Sequence, residues 1–129
     1  MQKLLLFVLF VFSLSIAKSQ TISCKNFREG TFKMDFKGKS ILIKRYGNVQ
    51  YEYLNNDQKP TMTFAVKWIN DCTYTLKPNA ATLKSFKVLP ANALLTVKII
   101  KTTPKSYFHS TSNNYSKEVI SSEIVAVHK

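Results

Sequence analysis

Downstream of residue 28 the chain alternates apolar and polar side chains in one short stretch after another. Over residues 29–36, Phe32, Met34 and Phe36 share one face, with Thr31, Lys33 and Asp35 on the other. A period of two is the mark of a half-buried antiparallel strand. Lys37-Gly38-Lys39 turns the chain into a β-branched run at 40–46, and Gly47-Asn48 is a two-residue hairpin signal. In the third strand Val49, Tyr51 and Tyr53 are expected inside, with Gln50 and Glu52 facing water. After a polar loop at 55–60, residues 61–69 alternate most clearly, with Met62, Phe64, Val66 and Trp68 on one face. Asn70-Asp71 turns the chain into 72–77, where Tyr74 and Leu76 point inward.

Residues 79–92 are less regular. Ala80-Ala81-Thr82-Leu83 can hold a helical turn, and 85–89 read as a short strand. Strands follow at 94–103, at 105–111 and at 117–127. Nothing reads as a crossover helix, so the pattern predicts an all-β fold, a single antiparallel meander of about eight strands. A meander of this length leaves two exposed edges unless it curls, so a small barrel or half-barrel is expected. An immunoglobulin-like sandwich is the rival, but its bridging cysteines would lie mid-strand, whereas Cys24 precedes the first strand and Cys72 sits beside a turn.

The start of the chain follows a different rule. Lys3 precedes an apolar run over residues 4–16, which is followed by Ala17 and Ser19. The run is shorter than the roughly 20 residues that cross a bilayer as a helix. Charge, short apolar core and small residues together make a secretory signal peptide over 1–19, cut after Ser19 or alternatively after Ala17. The domain is then 20–129, exported to the periplasm or the extracellular space, with no transmembrane segment and expected to be a monomer. Cleavage removes two lysines and no acid, so the formal net charge falls from +12 to +10. Such an excess favours anionic envelope polymers, and export argues against nucleic acid. Scattered lysine also serves solubility.

Two cysteines in an exported chain read as a disulfide between Cys24 and Cys72. An alternative makes Cys24 the acylated residue of an outer-membrane lipoprotein, although Thr21-Ile22-Ser23 fits the preceding motif poorly. A metal site built from two cysteines and two distant histidines has no recognisable spacing.

The inward faces define the candidate site. Phe32, Met34 and Phe36 from the first strand, Tyr51 and Tyr53 from the third, and Phe64, Val66 and Trp68 from the fourth would line the interior. If space remains among them, they suit a lipid or another small amphipathic ligand; in a small barrel they can instead fill the interior completely. Trp68 in Trp68-Ile69-Asn70-Asp71-Cys72 could stack on a ligand near the barrel mouth, or simply cap the core above a tight turn. Catalytic motifs are lacking: no nucleophile elbow, zinc-protease helix, phosphate loop or dinucleotide fingerprint occurs. The seven acids are expected mostly at turns and on outward strand positions and offer no obvious close pair for acid–base work, and His109 reads as a surface or hydrogen-bonded core residue. The chain is expected to be a binding module, not an enzyme, with no cofactor; the alternative is a cationic structural or surface-interaction protein of the cell envelope.

Three segments carry a resemblance. Cys24-x-x-Phe27-x-x-Gly30-Thr31-Phe32, then Trp68-Ile69-Asn70-Asp71-Cys72-x-Tyr74-x-Leu76, then Leu95-Thr96-Val97-Lys98-Ile99 resemble a group of small uncharacterised bacterial exported proteins. Both cysteines belong to that group's pattern, which implies the bridge over the lipid anchor. Members are sometimes labelled DNA topoisomerase IV, a label these residues do not support, because they contain neither a catalytic tyrosine motif nor an ATPase. Gly30-Thr31-Phe32 also resembles the Gly-x-Trp opening of lipocalin-like barrels, with Phe in place of Trp, and implies a barrel of that kind.

Overall fold

The computed structural model describes residues 23–128; the signal peptide expected at 1–19 lies outside them. A 3-10 turn, Cys24–Phe27, leads into β1 (Gly30–Phe36), β2 (Lys39–Tyr46), β3 (Val49–Leu54), β4 (Met62–Asn70) and β5 (Thr73–Pro78). A short helix, α1 (Ala80–Ser85), precedes β6 (Leu95–Thr102), β7 (Ser106–Asn113) and β8 (Ile120–His128). Each strand pairs antiparallel with the next, and β8 closes on β1, so the sheet is a closed barrel in sequence order. Closure leaves no edge strand, so of the barrel and half-barrel expected from the meander the structure is the closed barrel.

Local chemistry sets the register. Phe36 pairs with Lys39, so Lys37 and Gly38 form the whole β1–β2 loop, both with positive φ (49° and 77°). That is the backbone a two-residue hairpin needs to match the strand twist. At the β4–β5 turn the Asn70 side chain accepts from the Cys72 backbone N–H at 3.0 Å. Residues 85–89 are not a strand. Asn79 caps α1 by accepting the Thr82 N–H at 2.8 Å, and the chain then leaves the sheet in turns. Thr82 in turn bridges the backbone of Thr63 on β4, which fixes the helix to the barrel wall.

The two ends of the barrel differ. The 3-10 turn lies across the end where β1, β3, β5 and β7 begin. There Cys24 is bonded to Cys72, with Cα atoms 5.1 Å apart. The Cys24 sulfur is therefore committed to the bridge, which corrects the lipid-anchor alternative. Phe27, Phe32 and Tyr107 pack ring against ring in this end, with centroids 5.3 to 6.5 Å apart. At the opposite end Asn114 holds the chain before β6, bonding Leu94 N–H and the Asn92 carbonyl. No helix among the described residues is long and apolar enough to cross a membrane.

Candidate functional site

Arg45, on β2, is fully buried at the closed end. Its Nε donates to the Arg28 carbonyl at 2.9 Å, and Nη2 donates to the Phe27 carbonyl at 2.6 Å and to the Tyr107 hydroxyl at 3.1 Å. Nη1 donates to Gln50 Oε1 at 2.8 Å and to the Tyr74 hydroxyl at 3.0 Å. All five N–H groups are thereby used. The guanidinium also lies over the rings of Phe32 and Tyr74, at 4.9 and 4.6 Å. Burial works against its charge, but the Tyr74 and Tyr107 oxygens outweigh that and hold its pKa above the usual value. The same burial pushes the Tyr74 phenol well up, so it stays neutral. Arg45 thus forms a polar floor sealed against solvent.

Above this floor the barrel is not filled. A cavity of about 240 Å³ extends toward the opposite end. Its walls are apolar: Ile41 and Ile43, Phe64, Leu76, Val97 and Ile124. At its rim Met34, Phe36, Met62, Leu95 and Ile120 are only half-buried, and Leu89 and the exposed Tyr115 complete the mouth. Polar groups enter from two strands, Gln50 and Glu52 on β3 and His109 and Thr111 on β7.

Glu52 is 8 % exposed, and its sheet neighbours are Ile43 and Met62. Its Oε1 accepts a long hydrogen bond from Gln50 Nε2, at 3.4 Å. Burial raises its pKa to about 7, against the smaller opposing pull of Gln50 and Arg45. His109 is also buried, with Nδ1 2.7 Å from the Thr111 hydroxyl and Nε2 2.6 Å from that of Ser122. Desolvation lowers its pKa to about 4, so the imidazole is neutral near pH 7.

Of the eight residues expected to line the interior, Met34, Phe36 and Phe64 reach the cavity. Phe32 and Val66 are buried in the core without lining it, and Phe32 belongs to the sealed end. Trp68 stands at the sealed end, not the mouth, 4.5 Å from the Tyr74 ring and beneath Arg28 at 4.9 Å. Tyr51 and Tyr53 face outward, because β3 turns the opposite face inward from the one its hydrophobicity suggests. Gln50 and Glu52 occupy the interior instead, which corrects the expectation that these two face water. Gln50 is drawn inward by Arg45, directly opposite on β2, and period-two geometry then carries Glu52 with it.

Fold and site together define a class: a small closed antiparallel meander barrel, sealed by a disulfide-tied plug at one end and hollow at the other. Comparison with protein-family models, with curated proteins and with solved structures found no match.

Proposed function

We propose that the protein is a non-enzymatic binding module that takes a small apolar or amphipathic ligand into the barrel. The cavity carries the reading: a well-packed interior leaves few voids larger than a water molecule, and about 240 Å³ with an apolar wall and a half-buried apolar rim is a far larger space. It lies below the roughly 300–1,000 Å³ of sites that enclose a drug-sized ligand. A short chain or a single ring system therefore fits it better than a whole long-chain lipid. Binding is favoured over catalysis because burial lowers the pKa of the one histidine in the cavity to about 4, which leaves it a weak base near pH 7.

Titration with 1-octanol, followed by the methyl NMR signals of Ile41, Leu76, Leu95 and Ile124, tests the reading. Saturable shifts at these methyls, lost when Leu95→Trp fills the cavity, are the expected outcome. Shifts confined to outward side chains such as Ile100 would sink it.

The second reading is adhesion to anionic envelope polymers. The observation that favours it is the outer wall, where Lys33, Lys67, Lys77, Lys98 and Lys101 are all exposed. Such binding should collapse as salt rises past a few hundred millimolar, because exposed charges are screened within about 10 Å already at 0.1 M. Retention on an anionic polysaccharide column that persists in molar salt would count against it.

A further inference from the structure

The polar groups at the cavity differ in what they can still bond. Arg45 has no N–H to offer, since all five are committed to Arg28, Phe27, Gln50, Tyr74 and Tyr107. His109 is held by Thr111 and Ser122 on its two nitrogens. Glu52 is the exception. More than nine-tenths of it is buried, only Oε1 is engaged, and Oε2 has no partner among the described residues, while the side chain lines the cavity. The open valences inside this apolar space are therefore a charged acceptor, Glu52 Oε2, and beside it the neutral second N–H of Gln50 Nε2, whose one bond goes to Glu52.

We propose that the cavity selects an amphipathic primary amine, its ammonium on Glu52 Oε2 and its apolar body between Met34, Ile41, Leu76, Leu95 and Ile124. This rests on the cavity being a ligand site, as argued above. An ammonium completes an alternating series in which the Arg45 cation, the Gln50 amide and the Glu52 carboxylate already stand in hydrogen-bonded order. It also places an opposite charge in contact with the buried carboxylate, which Arg45 reaches only through Gln50. A carboxylate ligand would meet only the neutral second N–H of Gln50 and would stand beside the like charge of Glu52 unless that acid were first protonated, and an alcohol would leave the acid's charge without a contacting cation.

The charged and titratable groups around Glu52 and its cavity are Arg45 on β2, Tyr74 on β5, His109 on β7 and, at the mouth, Tyr115, whose pKa burial and Glu118 raise. Arg45 favours the ionised acid, and Tyr74 and His109 remain neutral near pH 7. The affinity for an amine should therefore follow the ionised fraction of Glu52 alone.

Calorimetric and NMR titrations with n-octylamine, 1-octanol and octanoate give the test, since the three share one apolar body. At pH 8.5 the amine should bind at least about tenfold more tightly than the alcohol. Its affinity should fall roughly 30-fold by pH 5.5, where few molecules have Glu52 ionised. Glu52→Gln should abolish the preference, so that the amine and 1-octanol bind this variant within about threefold of each other. Wild-type protein gives an independent readout: at pH 6.5, paired buffers of different ionisation enthalpy should show release of roughly 0.75 proton on amine binding. Equal affinity for amine and alcohol, or tighter octanoate binding with proton uptake, would overturn the amine assignment and leave the cavity a ligand site. Saturable binding of none of the three would remove both.

Discussion

Arg45 sits in the core with no carboxylate among the described residues in contact, and its charge is held by two carbonyls, two phenols and an amide. Each of those acceptors is buried or part-buried and would lose its partner if the guanidinium were removed. Arg45→Met is therefore expected to cost about 3–5 kcal/mol, the scale of stranding a buried polar network. Arg45→Lys should recover little, because an ammonium has three donors in place of five and no planar fork. Urea denaturation of the two variants measures both; a loss below about 1 kcal/mol for Arg45→Met would show that the network is not structural. The same residue explains why the site was only half legible. Met34, Phe36 and Phe64 follow from plain alternation. On β3 the more apolar set, Val49, Tyr51 and Tyr53, points outward because Gln50 answers an arginine that pattern reading treats as a surface residue. A binary pattern presumes that polar side chains seek water, so it cannot register a polar pair that satisfies itself inside.

At the scale of elements, the strands were legible and the plug was not. Eight strands and their turns follow from alternation and turn residues, and the pressure to cover two edges pointed to a barrel or half-barrel without deciding that β8 closes on β1. That the 3-10 turn Cys24–Phe27 folds across one end depends on contacts far apart in sequence: the bond to Cys72, 48 positions away, and the Phe27 carbonyl on Arg45. Closing a loop of that length is worth about 4 kcal/mol on the chain-entropy model. The double variant Cys24→Ser with Cys72→Ser should lose about that much, visible as a lower urea midpoint, and Trp68 fluorescence should change because Arg28 and Tyr74 pack on its ring. Unchanged stability would mean that the plug is held by Arg45 and the Phe27 packing alone. Helix α1 was legible as a turn of helix but not as the clasp it is, because its Thr82 bonds Thr63 across the barrel wall. Asn79→Ala removes its cap and should cost about 1 kcal/mol.

The barrel as a whole holds two shifted titrating groups whose effects on stability oppose each other. Glu52 has a folded pKa of about 7, above its ordinary 4.5, so the folded state binds its proton more tightly. Stability is highest below the unfolded value and falls as pH rises from about 4.5 to 7, by about 3 kcal/mol in total. His109 has a folded pKa of about 4, below its ordinary 6.5, so here the unfolded state binds the proton more tightly. Its stability is full above 6.5 and is lost as pH falls toward 4. Between about pH 4.5 and 6.5 each group shifts close to one proton in the opposite sense, and the two slopes cancel. Wild-type stability should therefore be nearly flat with respect to this pair across that window. Single substitutions uncover the parts. Glu52→Gln leaves His109 alone, and its stability should rise with pH from 4 to 6.5; His109→Gln leaves Glu52 alone, and its stability should decline from 4.5 to 7. Urea unfolding at half-unit pH steps for the three proteins distinguishes this from the alternative in which water reaches both groups. In that case neither variant would differ in slope from the wild type. A saturating amine that holds Glu52 ionised should remove the decline at high pH, so the pH profile also reports occupancy of the cavity.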